Sequence, residues 1–278
     1  MRQFILTACA VAALAPGAAL AQQSPYGESA IQPSKNVVAV RQLATYTRYS
    51  DDPGGVRADL SDLRLETNVT YGLSGELALQ ASLPVIHRSR DQGGSGEDDT
   101  GLGDPSLALR WRFWQDDRTG VNTSRAVLIA GAELPSGDTE FSSRSVDPFV
   151  GVALSTIEGR WAWNASARFK LNTSGEGDAS RITPGDTANE ALFTDASLLY
   201  RLSPAEWGPD TDVSMYAILE VNGLFETGGD AEVMLAPGFL WEATGWAWEV
   251  SVQLPIAQDV EDRFEREWGV RGGVRLLF

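Results

Sequence analysis

Residues 268–278 read WGVRGGVRLLF, and their side chains alternate between two chemical classes. Every second residue from Trp268 to Phe278 is apolar or glycine, and the intervening positions include Arg271 and Arg275. Only an extended strand sends successive side chains to opposite faces. The stretch therefore predicts a β-strand with one apolar face and one charged face.

The same period-two alternation recurs upstream, most clearly in LALRWRFW at 107–114, RWAWNASARFKL at 160–171 and WAWEVSVQL at 246–254. In 107–114 it places Trp114 on the same face as Arg110 and Arg112. Such patterns favour strands over helices. We predict twelve strands, near 37–49, 60–71, 76–88, 105–114, 124–134, 146–155, 160–172, 190–202, 212–224, 231–242, 246–256 and 268–278. Ten or fourteen strands also fit the pattern.

The first 21 residues have the features of a cleavable secretory signal peptide. Arg2 precedes an apolar run that ends in Ala19-Leu20-Ala21, an A-x-A cleavage pattern. A lipoprotein signal is the alternative because Cys9 follows a lipobox-like Leu6-Thr7-Ala8, but the apolar stretch before Cys9 is short for a signal core. We expect residues 22–35 to form a flexible periplasmic leader, and the sequence leaves open whether they enter the barrel and plug it. Residues 36–278 are expected to form the folded domain.

Composition excludes several classes of protein. The chain carries 22 basic and 38 acidic residues, a net charge of −16, which argues against a nucleic-acid partner. Cys9 is its one cysteine, so residues 22–278 can form neither a disulfide nor a thiolate metal site. We expect no cofactor and no bound metal.

Strand length and loop length together indicate a membrane barrel. Most predicted strands have the 9–11 residues that cross a bilayer at a tilt. Tight turns at 72–75, 156–159 and 243–245 alternate with long polar segments at 89–104, 135–145, 173–189, 225–230 and 257–267. Short periplasmic turns and long outer loops are typical of outer-membrane barrels. The connections at 115–123 and 203–211 are longer than this rule prefers. The fold class we predict is all-β, a transmembrane antiparallel up-and-down β-barrel.

Outward-facing aromatic residues cluster at one end of the predicted strands. They are Tyr71, Phe113, Trp161, Trp163, Tyr200, Trp241, Trp246, Trp248 and Phe278. Such clustering is typical of an aromatic girdle at a membrane interface. A soluble β-sandwich is the alternative, but it would bury these rings between its sheets, not at strand ends. A closed barrel also pairs every backbone group, which allows it to span lipid.

Three stretches resemble one family of outer-membrane barrels, that of the MetA pathway of phenol degradation. They are YGLSGELALQASLPV at 71–85, GLGDPSLALRWRF at 101–113 and AGAELPSGD at 130–138. The residues that carry the resemblance are Leu83-Pro84, Gly103-Asp104-Pro105 and Leu134-Pro135-Ser136-Gly137-Asp138. It is clearest over residues 60–140, and it implies a barrel that passes small molecules, aromatic ones included. Val274, Leu276 and Phe278 also resemble the C-terminal signal read by the barrel-assembly machinery.

Strand parity places charged residues of both signs on the inner face. They are Asp62, Arg64, Glu66, Arg110, Arg112, Glu133, Arg168, Lys170, Asp195, Arg201, Glu220, Glu249, Arg271 and Arg275. Such a lining suits a water-filled pore. We predict an outer-membrane channel for passive uptake or efflux of small solutes, hydrophobic or aromatic ones included. The alternative is a structural or assembly barrel whose lumen is occluded by ion pairs. Outer-membrane lipid, lipopolysaccharide, the assembly machinery and the solute are the expected partners.

Catalytic chemistry has little support in the sequence. His87 is the one histidine, at the outer end of a predicted strand, and we expect it to be solvated. Asp98, Asp99 and Asp104 do not follow the EF-hand spacing, so an ordinary solvated loop is expected. The stretch 101–104 fits a loop that lines a constriction or the start of a strand, and Pro105 favours the second. We therefore predict that the protein is not an enzyme.

Overall fold

The computed structural model describes residues 22–50, 59–92, 95–119, 122–173, 182–187, 189–206 and 211–278. The predicted signal peptide, including Cys9, lies outside these ranges. The described residues form thirteen strands: β1 (Val38–Ser50), β2 (Asp59–Gly72), β3 (Leu77–Gln92), β4 (Ser95–Leu102), β5 (Ser106–Asp117), β6 (Thr123–Glu133), β7 (Asp147–Glu158), β8 (Trp161–Lys170), β9 (Ala191–Ser203), β10 (Val213–Glu226), β11 (Ala231–Ala243), β12 (Trp246–Asp259) and β13 (Glu265–Leu277).

Twelve of these strands close into one antiparallel barrel. Consecutive wall strands pair with each other, and β1 joins the two ends of the sheet by pairing with both β2 and β13. In that seam Val40 lies opposite Val69 on one side and Leu276 on the other. The predicted fold class and the count of twelve wall strands are confirmed. The first strand, whose alternation is weak in sequence, is a regular member of the wall.

Strand β4 is the one described strand that the sequence pattern misses. It pairs with the outer half of β3 and continues the line of β5 beyond a break at residues 103–105. Its sequence, SGEDDTGL, has no apolar alternation, and successive residues 96–98 are all exposed, so both of its faces meet water there. The predicted long polar loop at 89–104 is therefore mostly a β-hairpin extension.

The two ends of the barrel differ in their connections. At one end, here the turn end, β2–β3, β7–β8 and β11–β12 are joined by tight turns, and Val38 N donates to Phe278 O at 3.0 Å. At the other, the loop end, the long segments 134–146 and 171–190 join strands. The 227–230 connection also lies there, and it is a short turn closed by a 2.8 Å bond from Glu226 N to Asp230 O.

The outer wall presents an apolar surface. Side chains such as Leu79, Leu107, Val150, Val250 and Leu276 are between 38% and 49% exposed. Their lumen-facing neighbours along each strand are mostly buried, as the period of two requires. A continuous apolar belt of this extent on a barrel fits a hydrocarbon surrounding.

No helix in the described ranges is long and apolar enough to cross a membrane.

The nine aromatic residues predicted to form a girdle all lie on the outer wall near the turn end. Several pack against one another with tilted rings: the ring centroids of Trp161 and Tyr200 are 4.5 Å apart, and those of Trp241 and Trp248 are 5.7 Å apart. Trp114, predicted to face inward, instead pairs with Ala126 after a register shift at Phe113 and is 48% exposed. The bulge reverses the parity of β5 and adds Trp114 to the outer surface.

Candidate functional site

Residues 22–33 lie inside the barrel, and we call them the inner segment. The chain enters from the turn end, where Asn36 N donates to Gly72 O at 2.8 Å. It reaches mid-lumen at Tyr26 and Gly27 and returns to Gln22, whose Nε2 donates to Tyr216 Oη at 3.1 Å. This course differs from the expected flexible periplasmic leader. Its polar groups form hydrogen bonds and ion pairs with side chains of the wall.

A single carboxylate holds the tip of the inner segment. Glu220 on β10 accepts the backbone N–H of Gly27 at 2.6 Å and that of Tyr26 at 3.2 Å. Asn222 Nδ2 donates to the same carboxylate at 3.0 Å. Glu220 is fully buried, so these donors replace the water that a lumen carboxylate would otherwise bind.

Three arginines donate hydrogen bonds to carbonyl oxygens of residues 23–25 of the inner segment. Arg41 donates to Ser24 O at 2.8 Å and Pro25 O at 3.1 Å, Arg271 to Pro25 O at 2.9 Å, and Arg275 to Gln23 O at 3.2 Å. Charged donors make the stronger class of hydrogen bond. The wall therefore supplies donors where the segment presents carbonyls and an acceptor where it presents N–H groups.

Three ion pairs hold Arg41, Arg275 and their neighbour Arg110 in place. Glu249, with no exposed side-chain area, binds Arg41 Nε at 2.8 Å and forms an ion pair with Arg275. Glu28 of the inner segment accepts from Arg110 on β5 at 2.6 Å. A buried pair of this kind resists loss of either partner because the remaining charge would be left uncompensated.

An apolar contact also holds the inner segment against the wall. Ala30 is fully buried against Val127 and Ile129 of β6 and Phe149 and Ala153 of β7. The apolar inner face of β6 is visible in the sequence as a strand that is hydrophobic on both sides. A water-filled lumen does not need such a face, so this was the one available signal that the lumen is occupied.

The inner segment divides the lumen into two cavities. The turn-side cavity has a volume of about 150 Å³ and the loop-side cavity about 280 Å³. Tyr26 lines both cavities, together with Glu66, Arg168 and Arg271. The tip of the segment is therefore the partition between them.

The loop-side cavity holds a cluster of opposite charges. Lys170 Nζ binds Glu133 Oε2 at 3.0 Å and also pairs with Asp186 from the 171–190 segment. Arg64 Nε binds Glu66 Oε2 at 3.0 Å. Burial raises the pKa of the Asp186 carboxyl above its ordinary value, and the charge of Lys170 opposes this rise. The cluster therefore holds Asp186 of the 171–190 segment against the wall of the loop-side cavity.

The remaining predicted lumen residues lie apart from the inner segment. Arg112 and Arg201 lie at the turn end. Arg112 donates to Gly75 O, and Arg201 donates to Pro204 O at 3.0 Å. Asp62 lies near the loop end and forms a buried pair with Arg88 at 2.8 Å. The structure thus brings together Arg110, Glu220, Glu249, Arg271 and Arg275 around the segment. It places Asp195, Arg168 and Glu66 beside the tip, and the other predicted lumen residues elsewhere.

The loop end is narrowed by a group of residues that the sequence did not single out. Arg263, fully buried, binds Glu226 at 2.9 Å and Glu232 at 3.0 Å, and Arg266 also binds Glu232, at 2.6 Å. Phe264 packs in a small apolar cluster beside them. Arg263 belongs to a predicted loop, and nothing in a polar loop sequence indicates that it folds inward.

The glycine-rich motif at 101–104 has a structural role in the described residues. Asp104 accepts from Gly137 N at 3.0 Å and Ser143 N at 2.8 Å. Asp138 in turn accepts from Leu102 N at 2.7 Å. The two family motifs therefore bind each other, and β5 begins directly after Pro105.

His87 lies on the outer face of β3. Its Nδ1 is 2.8 Å from Thr100 Oγ1, and the pair is exposed. Within the ranges that the structure describes, no three His, Cys, Asp or Glu side chains are grouped to hold a metal ion.

Together these features define a twelve-stranded barrel of the outer-membrane type with a charged lumen. Residues 40–270 match the family described as "Putative MetA-pathway of phenol degradation", and the chain belongs to that family. The match confirms the resemblance and extends it well beyond residues 60–140.

Solved structures show the same fold. An outer membrane channel from Pseudomonas putida F1 is 12% identical, with a TM-score of 0.60 over 92% of this chain and 100% of that one. The beta domain of the Bordetella autotransporter BrkA is 18% identical, with a TM-score of 0.50 over 88% and 100%. Comparison with curated proteins gives no significant match.

Proposed function

We propose that the protein is an outer-membrane channel for the passive movement of small solutes, in which the inner segment sets the width of the pore. The observation that carries the proposal is the pair of cavities in series, 150 and 280 Å³, with Tyr26 at their boundary. In this proposal the two cavities are parts of one path from the turn end to the loop end, with the tip of the inner segment between them. Its charged lining replaces part of the hydration of a passing solute.

The fold supports this proposal. The structurally similar Pseudomonas putida F1 protein is an outer membrane channel, and the family name refers to the degradation of phenol. Small solutes, aromatic ones included, are the class that this background suggests. The buried apolar patch around Ala30 and the ring of Tyr26 give the lumen some apolar character beside its charges.

The proposal also covers how the protein reaches and enters the outer membrane. Residues 1–21 act as the cleaved signal peptide, and Val274, Leu276 and Phe278 present the assembly signal on the outer wall, where they are 40–46% exposed. Outer-membrane lipid contacts the apolar belt, and the aromatic residues near the turn end lie at the periplasmic interface. Lipopolysaccharide contacts the exposed residues beyond the belt at the loop end.

Single-channel conductance in planar bilayers tests the proposal. The intact barrel should give small, steady current steps, because the inner segment leaves only narrow passages. A variant that lacks residues 22–33 should give larger steps, because Glu220 and the three arginines would then line an open lumen. Heat-modifiable migration on gels checks that both proteins are folded.

The rival hypothesis is a structural barrel with an occluded lumen. A folded variant without residues 22–33 that carries no current would support it and overturn the channel proposal. Equal conductance with and without these residues would leave the channel but remove the role given to the inner segment.

A further inference from the structure

Arg168 on β8 has an unusual environment for a lumen arginine. Its guanidinium carbon lies 4.5 Å from the ring centroid of Phe193 and 5.3 Å from that of Phe149. It lines both cavities. Within the described part of the chain, its guanidinium makes contacts with these rings but no hydrogen bond or ion pair.

Glu28 and Asp195, two carboxylates close enough to interact with the charge of Arg168, are bound to other groups. Glu28 is paired with Arg110 at 2.6 Å, and Asp195 accepts from Ser166 Oγ at 2.9 Å. Neither is within ion-pair distance of Arg168. An arginine held by two aromatic faces, with its N–H donors unused by the described residues, is a strong binding group for an anion.

Arg271 provides a second cation at the same partition. It donates to Thr45 Oγ1 at 2.8 Å and to Pro25 O at 2.9 Å, and its guanidinium carbon lies 4.1 Å from the ring centroid of Tyr26. These partners are neutral. The tip of the inner segment thus offers Arg271 an oxygen acceptor and a flat ring side by side, which are the two parts of an aromatic carboxylate.

We propose that Arg168 and Arg271 form a binding site for a small monocarboxylate with a flat apolar body, with benzoate as the probe. This inference rests on the proposed channel function and names the class of its solute. Arginine binds a carboxylate through two parallel hydrogen bonds. The rings of Phe193 and Tyr26, which pack on the two guanidiniums, supply apolar surface beside them for the body of the ligand.

The dimensions limit the ligand to a small one. The loop-side cavity, about 280 Å³, is near the lower limit of ligand pockets, roughly 300 Å³. The site also lies on the conduction path, so binding must be weak enough to allow release. We therefore expect an affinity in the millimolar range rather than the nanomolar range of a storage protein.

Binding is measured by isothermal titration calorimetry or saturation-transfer NMR on the folded barrel in detergent, independently of transport. Benzoate should bind, and benzamide, its neutral isostere, should bind at least about tenfold more weakly, a difference of about 1.4 kcal/mol. Arg168→Gln should weaken benzoate binding by a similar factor. Arg112→Gln is the matched control, because it removes the same charge at the turn end, outside both cavities.

The outcomes separate this inference from the channel proposal. Equal binding of benzoate and benzamide by the unmodified barrel would overturn the inference without any variant. Equal effects of Arg168→Gln and Arg112→Gln would also overturn it, since general lumen charge would then explain the binding. Benzoate binding by a barrel that carries no current would overturn the channel proposal but support the site. Current through a barrel that does not bind benzoate would support the channel proposal and overturn the proposed site.

Discussion

The backbone N–H of Gly27 donates a 2.6 Å hydrogen bond to Glu220 Oε1 in the middle of the barrel. A Cβ atom at Gly27 would lie 2.6 Å from Asp195 Cβ and 2.9 Å from Glu220 Oε1. Carbon atoms do not approach so closely, and the Cβ of Asp195 cannot move without its strand. Glycine is therefore the residue that lets the tip of the inner segment contact both carboxylate side chains.

Gly27→Ala should displace the tip and widen the pore. The overpacking should cost about 1–3 kcal/mol, which is comparable with the net value of the two hydrogen bonds to Glu220. Single-channel conductance should rise severalfold in the variant. Gly75→Ala is the matched control, because a Cβ at Gly75 meets no atom within 4 Å. Unchanged conductance in Gly27→Ala would contradict the role given to the tip.

Glu249→Gln should destabilise the barrel strongly. It leaves Arg41 and Arg275 without the carboxylate that lies between them, and Glu249 has no exposed side-chain area. Loss of one partner from a buried pair costs about 3–5 kcal/mol, and the lower end is expected here because Arg41 is 19% exposed. The free energy of unfolding in denaturant measures the effect.

The matched control for Glu249→Gln is Glu267→Gln. Glu267 forms a 3.0 Å ion pair with Arg48 on the outer surface, where both side chains are about half exposed. Such a pair contributes about 0–1 kcal/mol. The double variant Glu249→Gln/Arg275→Gln should recover part of the lost stability. Similar costs for Glu249→Gln and Glu267→Gln would show that the lumen screens charge as bulk water does.

The barrel wall could be predicted from sequence because its alternation has a physical cause at every position. Lipid on one side and a polar lumen on the other select opposite residue types at successive positions, as in β8 and β12. The alternation is not expected where a strand does not have lipid on one side and the polar lumen on the other. Strand β4 meets water on both faces, so SGEDDTGL shows no pattern, and a bulge at Phe113 shifts the phase for Trp114 without a sequence signal.

The apolar inner face of β6 hints that the lumen is occupied, but the contacts that fill it could not be predicted because they join distant parts of the chain. Glu220 binds Tyr26 and Gly27, which lie 194 and 193 positions earlier in the chain. Arg275 binds the carbonyl of Gln23. A polar stretch such as QQSPYGESAIQPSK has too little apolar surface to predict an ordered segment. Its order depends on donors and acceptors that the wall strands supply, and strand parity alone does not give their register.

Asp104→Ala should release the 134–146 segment at the loop end. Asp104 accepts three hydrogen bonds from this segment, from Gly137 N, Ser143 N and Ser143 Oγ. Their loss should cost about 1–3 kcal/mol of local stability. Trypsin cleavage after the exposed Arg144 should become about tenfold faster, since local opening controls the rate. Asp98→Ala, at an exposed position on β4, should leave the rate unchanged. Equal cleavage rates in Asp104→Ala and Asp98→Ala would contradict the role given to Asp104.

Val250→Arg tests the direction in which the outer wall faces. Val250 is 38% exposed on the apolar surface and lies opposite Phe239 and Gly272 in mid-strand, so an arginine there would enter hydrocarbon. We expect a cost of about 2–4 kcal/mol at the bilayer midplane, falling to about 0–1 near an interface. Ile256→Arg, 57% exposed and nearer the loop end of β12, provides the interfacial comparison. Unfolding from lipid vesicles measures both. A Val250→Arg barrel as stable as Ile256→Arg would mean that this face is not surrounded by lipid.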